Sequence, residues 1–164
     1  MTFAICQPGL AQDFSGAFSG MQDSNKPIQI EADRLEVKDK QGVALFTGNV
    51  HVVQGATVLE AARMKVIYTK GGKGTNGNLK TLEASGTIVV RSGDQTVTAD
   101  KGQFNMIKQT VKLTGDVVIT QGENVISGCI LDVDLETSSA ILSPCKAKNG
   151  KKTRRPTLLF SPKN

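Results

Sequence analysis

The chain has no tryptophan, one tyrosine (Tyr68) and one histidine (His51) among its 164 residues. Each shortage excludes a class of function. A His-based catalytic triad would rest on His51 alone. The sequence offers no Gly-x-Ser-x-Gly elbow, no paired histidines and no Cys-x-x-Cys, so neither nucleophilic catalysis nor a metal centre is expected. No cofactor is expected either, because the glycine-rich stretch at 71–78 is not followed by a helix that could complete a phosphate cradle. Aromatics are 4% of the chain, which leaves too few rings to stack the bases of single-stranded nucleic acid. No run approaches the roughly 18 apolar residues of a membrane-spanning helix. Proline is absent from Ile28 to Ser143. Proline cannot donate to a strand ladder, so this long proline-free stretch is free to be sheet.

What the stretch does contain is valine, isoleucine and threonine. Runs such as Ile28-Gln29-Ile30-Glu31, Thr96-Val97-Thr98-Ala99 and Val111-Lys112-Leu113-Thr114 alternate with the period of half-buried strands. Self-comparison adds a repeat. Thr47-Gly48-Asn49-Val50-His51-Val52 matches Ser85-Gly86-Thr87-Ile88-Val89-Val90 and Thr114-Gly115-Asp116-Val117-Val118-Ile119, with a degenerate echo at Ser143-Pro144-Cys145. A second marker falls at Ala32-Asp33, Ala61-Ala62, Ala99-Asp100 and Gly128-Cys129, spaced 29, 38 and 29 residues. Turns at Gly42, Gly71, Gln109 and Ser138 repeat that spacing. Nine extra residues lie in the loop Gly71–Leu79, where length changes cost little. The residues therefore predict about four copies of one antiparallel unit, with each Gly-Asn, Gly-Thr or Gly-Asp step bending a strand round a corner. An elongated, open-ended antiparallel β-jelly roll of repeated strand units is favoured over a β-solenoid, because the apolar runs beside the bends are long enough to face an enclosed interior.

The termini differ from this centre. Residues 146–164 carry seven basic side chains and no acid, so 13 of the 20 cations remain elsewhere against 15 acids, about −2. A near-neutral domain with a basic tail results, the tail being open to phosphates, nucleic acid or solvent alone. At the other end, Met1–Cys6 reads as the close of an apolar segment. Gly9-Leu10-Ala11 then places small residues where signal peptidase cleaves, before Gln12. Residues 1–26 are expected to be a residual secretory signal and linker, residues 27–145 the β-domain, and residues 146–164 a basic tail with a final edge strand. Losing Cys6 with the signal leaves Cys129 and Cys145, an even number suited to an oxidising compartment. They flank the turn at Glu136–Ser139, so a tight hairpin would oppose them and a disulfide is expected.

Pro27-Ile28-Gln29-Ile30-Glu31-Ala32-Asp33, Phe46-Thr47-Gly48-Asn49-Val50, Leu113-Thr114-Gly115-Asp116-Val117 and Thr157-Leu158-Leu159-Phe160-Ser161-Pro162 together resemble the OstA-like family of lipopolysaccharide-transport proteins. The likeness runs over residues 27–162; each motif alone is weak, and four in order are fairly specific. It implies a periplasmic, non-enzymatic jelly roll with an apolar inner face along which lipid acyl chains travel. It also implies head-to-tail stacking of copies between an inner-membrane export complex and an outer-membrane assembly protein that carries related domains. The cysteine pair and the basic run at 146–155 are outside that pattern.

Site residues follow from aligning the repeats. Val50, Ile88 and Val117 fall in register, as do Val52, Val90 and Ile119; the polar His51 between them puts the intervening phase outside. Ile28 and Ile30 extend the inward set and match the family's first motif. These eight are the expected lipid-binding positions, and an open trough would tolerate Ile30→Asp or Ile119→Asp in the lipid-free state. Leu158 and Phe160 are the expected assembly edge, opposite a first strand at 28–33. Lys151, Lys152, Arg154 and Arg155 are the expected contacts to anionic groups. The competing reading is a self-polymerising structural β-repeat protein with a closed core and no lipid ligand.

Overall fold

The computed structural model describes Phe18 and residues 26–70, 78–146 and 154–161. Ten strands form among them: β1 (Gln29–Glu31), β2 (Arg34–Lys38), β3 (Val43–Gln54), β4 (Thr57–Tyr68), β5 (Leu79–Ser92), β6 (Gln95–Asn105), β7 (Thr110–Gln121), β8 (Asn124–Asp134), β9 (Ser139–Ser143) and β10 (Thr157–Leu159). All pair antiparallel in one sheet of order β1-β3-β4-β5-β6-β7-β8-β10, with β2 also on β3 and β9 also on β8. Consecutive long strands are joined as hairpins, which rules out the solenoid. The sheet does not close: β1 and β2 end it on one side, β9 and β10 on the other.

Six long strands of 11–14 residues are each bent in the middle, and the sequence repeats mark the bends. Gly48, Gly86 and Gly115 have φ near +80°, and the residues after them, Asn49, Thr87 and Asp116, are also left-handed at φ 44, 48 and 35°. Registers slip by one residue there, between Thr47 and Val50, Ser85 and Ile88, Thr114 and Val117. All three bulge glycines thus face a tight neighbour: a Cβ on Gly48 would lie 2.4 Å from Asp33 Oδ2, one on Gly86 2.6 Å from the Ala62 methyl, and one on Gly115 2.3 Å from Asp100 Oδ2. Only glycine satisfies both the dihedral and the space.

Strands therefore alternate in kind. Those with a Gly-Xxx bulge (β3, β5, β7) interleave with those carrying a small-residue corner at Ala61-Ala62, Ala99-Asp100 and Gly128-Cys129 (β4, β6, β8). The outermost levels are broken at the corner instead of bent. β1 and β2 are one such level, interrupted at Ala32-Asp33, where Asp33 N–H donates to Gly48 O at 2.9 Å and Asn49 Nδ2 donates to Asp33 Oδ2 at 2.9 Å. β9 and β10 are the other, with residues 144–156 between them.

Bending folds the sheet onto itself. Its two halves face each other across one apolar interior that includes Leu59, Met64, Leu82, Ile88, Phe104, Leu113 and Leu131, all at most 1% exposed. The strand ends away from the corner form two lips. Ile28 and Gln54 on one lip share a cavity with Phe104 and Leu135 on the other. Phe18, in the stretch read as a linker, is fully buried in this interior. The predicted signal cleavage site and Cys6 lie outside the described residues.

Candidate functional site: the inner face of the bent sheet

Cross-strand pairing aligns the inward side chains into rows that cross every level. In one half-sheet the row runs Ile30, Val52, Leu59, Val90, Val97, Ile119, Ile126, Leu158, each paired with the next. In the other half it runs Leu35, Phe46, Met64, Ala84, Gly102, Leu113, Leu131, Leu142. A parallel row from Val37 through Ala44, Val66, Leu82, Phe104, Val111 and Val133 ends at Ala140. Every member is apolar. Aliphatic side chains dominate, so the surface can repack around a flexible chain without leaving a buried polar group unpaired.

Val50, Val52, Ile88, Val90, Val117 and Ile119 are brought together on this face as aligned, at most 4% exposed, while Ile28 and Ile30 are half-buried at the margin. His51 faces outward beside Glu60, at 3.9 Å. The expected tolerance of charge does not hold along the whole face. Ile119 is enclosed, so Ile119→Asp would bury an unpaired carboxylate and destabilise the fold by several kcal/mol. Ile30 remains a position where water reaches the side chain. A cavity of about 430 Å³ opens between the lips, lined by Ile28, Leu79, Phe104, Met106, Val111 and Leu135 among others. The second half-sheet, with Phe46, Met64 and Phe104, is absent from the set read out of the sequence.

Each row has one exposed end and one half-buried end, Ile30, Leu142 and Ala140 being the half-buried ones. Leu35 and Val37 on β2 are each 55% exposed, and Leu158 and Phe160 are each 57% exposed at the far edge. Beside that edge Cys129 and Cys145 are joined by a disulfide, Cα–Cα 4.8 Å. Cys145 N–H donates to Arg154 O at 2.9 Å, closing the stem on either side of residues 146–153. Arg154 is exposed but engaged with its own chain, paired with Asp116 and 3.8 Å from Cys129 Sγ. Arg155 is exposed. Lys151 and Lys152 lie outside the described residues. On the outer face cations and acids pair across strands, Lys65 with Glu83 at 3.5 Å and Lys112 with Asp132 at 2.9 Å; such exposed pairs contribute about 0–1 kcal/mol. Among the described residues no group of His, Cys, Asp or Glu is placed to hold a metal ion.

The family model described as LptA/(LptD N-terminal domain) LPS transport protein matches residues 29–139. The chain belongs to that family. Its match ends at the first residue of β9, short of the disulfide's second cysteine and the basic run. An uncharacterized protein of Rhizobium meliloti is 44% identical over 86% of this chain and 78% of its own length. The lipopolysaccharide export system protein LptA of Haemophilus influenzae is 28% identical over 89% of this chain and 84% of its own. Among solved structures, LptH of Pseudomonas aeruginosa, titled the LptA-homologous periplasmic component of a lipopolysaccharide transport device, superposes with a TM-score of 0.70 at 21% identity. It covers 86% of this chain and 99% of that one, a likeness of fold. This family member is thus a jelly roll whose interior carries apolar rows from one edge to the other, with Gln54, Thr57 and Gln95 as buried polar residues beside them.

Proposed function

We propose that this chain is a periplasmic lipopolysaccharide carrier, working by binding rather than catalysis, and that acyl chains lie against the inner face of the bent sheet. Copies stack head to tail, β9 and β10 of one against β1 and β2 of the next, between an inner-membrane export complex and an outer-membrane assembly protein with related domains. The observation that carries this reading is the set of apolar rows that cross every level and together reach exposed side chains at each open edge, Leu35 and Val37 on one side and Leu158 on the other. A multi-chain lipid cannot cross water unescorted, since each exposed methylene costs about 0.8 kcal/mol. Open strand edges are normally suppressed as aggregation hazards, and here they suit strand addition. The names of the relatives, which describe export of the same lipid, agree with it.

The enclosed packing of Val50, Ile88 and Val117 favours the second reading, a structural repeat with no ligand. Purified protein is loaded with an environment-sensitive hydrophobic probe and titrated with lipopolysaccharide. Saturable displacement is expected, and probe retention at every concentration would leave the structural repeat standing. Assembly is tested separately with Leu35→Asp and Leu158→Asp, both at exposed row ends. Each should stay folded and lose concentration-dependent oligomers; oligomers unchanged in both variants would place the interface elsewhere.

A further inference from the structure

We infer that Phe18 is an internal occupant of the acyl-chain path, seated there in the lipid-free protein and expelled when a chain enters. The inference rests on the carrier reading above and adds a self-contact that the lipid must displace. Phe18 is fully buried, and its ring centroid lies 6.2 Å from that of Phe104, the planes inclined by 53°. Phe104 belongs to an inward row, between Leu82 and Val111. The pair therefore sits on the face assigned to lipid and not beside it.

Phe18 differs in one respect from the rest of the interior. The other buried apolar side chains are carried by strands β3–β8, or in the case of Leu135 by the turn whose N–H donates to Gln109 O. None can leave without breaking the ladder. Phe18 precedes β1 and belongs to no strand, so no ladder hydrogen bond runs through it. The next described residue is Lys26, at the lip, where its carbonyl accepts a hydrogen bond from Gln54 Nε2 at 3.3 Å. Lys26 and Phe104 both border the open cavity of about 430 Å³. An apolar side chain held by no ladder, near the mouth of an aliphatic interior, meets the same surface an acyl chain would meet. Occupancy by one excludes the other, and the apparent affinity for lipid is reduced by the fraction of protein in which the path is open.

The absence of tryptophan makes the test clean, because Phe18→Trp introduces the sole indole. Emission from that indole should be blue-shifted in the lipid-free variant and move to the red, saturably, as lipopolysaccharide is added. Deacylated lipopolysaccharide should leave it unchanged. Binding is scored in parallel by co-elution of lipopolysaccharide with the protein. Co-elution with the emission still blue overturns displacement while leaving the carrier reading intact. No co-elution fails the carrier reading and takes this inference with it. A red shift of equal size with the deacylated sugar also overturns it. Should the indole not seat in the free protein, Phe18→Ala decides: apparent lipopolysaccharide affinity should rise roughly three- to tenfold, and unchanged or weaker binding shows Phe18 to be ordinary core.

Discussion

The two ends of the strand stack meet the same problem and answer it differently. At both, the outermost level is broken at the corner instead of bent. Between β1 and β2 the gap is Ala32-Asp33, and hydrogen bonds from Asp33 N–H to Gly48 and from Asn49 to the Asp33 carboxylate close it. Between β9 and β10 lie residues 144–156, and the corner is held by a disulfide, the Cys145–Arg154 backbone contact and the Arg154–Asp116 pair. A short break keeps its halves aligned by covalent continuity. A long one loses that alignment unless a cross-link restores it. Three-residue β10, wholly exposed, is too short to hold its place by ladder hydrogen bonds alone.

The largest test of this contrast is to remove the cross-link. Closing a loop of about 15 residues stabilises by roughly 3 kcal/mol, so Cys129→Ser with Cys145→Ser should lower stability by up to that amount in thermal unfolding. Amide exchange at residues 157–159 should accelerate far more than at 29–31. Equal exchange at both ends would mean that the disulfide does not hold β10. Next in size are the corners between the ends. Gly115→Ala puts a methyl against Asp100 at a left-handed position and should cost about 2 kcal/mol in denaturant titrations. Thr87→Asn works in the opposite direction. Threonine is β-branched and poorly suited to φ 48°, whereas asparagine tolerates that region, so a gain of up to about 1 kcal/mol is expected; a loss would show that Thr87 makes a contact worth more than its strain. Asp33→Ala should be the smallest, roughly 0.5–1 kcal/mol for an exposed hydrogen bond, and its effect on exchange should be confined to β1 and β2.

The repeats made the corners and turns legible in the sequence alone. Gln109 and Ser138 are left-handed at φ 51 and 52°, although neither residue type announces it, because the 29- and 38-residue spacing carried the assignment from Gly42. One half of the inner face was legible because alternation there is unbroken. On β4, β6 and β8 the other half was hidden by a phase slip. In β4 the inward positions are Leu59 and Ala61, then Met64 and Val66, with Ala62 and Arg63 both exposed. The bulge on the neighbouring strand uses two residues where β4 uses one, so the alternation restarts one position late. The small-residue markers at Ala61-Ala62 and Ala99-Asp100 were the visible traces of this slip, and counting on from them would have recovered Met64 and Val66 on β4 and Phe104 on β6. Phe18 was passed over because Ser-Gly pairs interrupt any helical pattern around it, and burial in a distant row leaves no local periodicity.

The alternation of bulged and small-cornered levels has a further consequence. Reading across the sheet, the first level, β1 with β2, is of the small-cornered kind. The last, β9 with β10, stands where a bulged level is due and carries its excess residues there as one long insertion. The molecule therefore holds an even number of levels and has unlike faces at its ends. A copy arriving in the same orientation extends the sequence of kinds without a fault, whereas a copy arriving reversed sets like against like at the corner, two insertions or two tight turns in the same space. Parity alone gives such a column a sense of direction, independent of which side chains happen to touch.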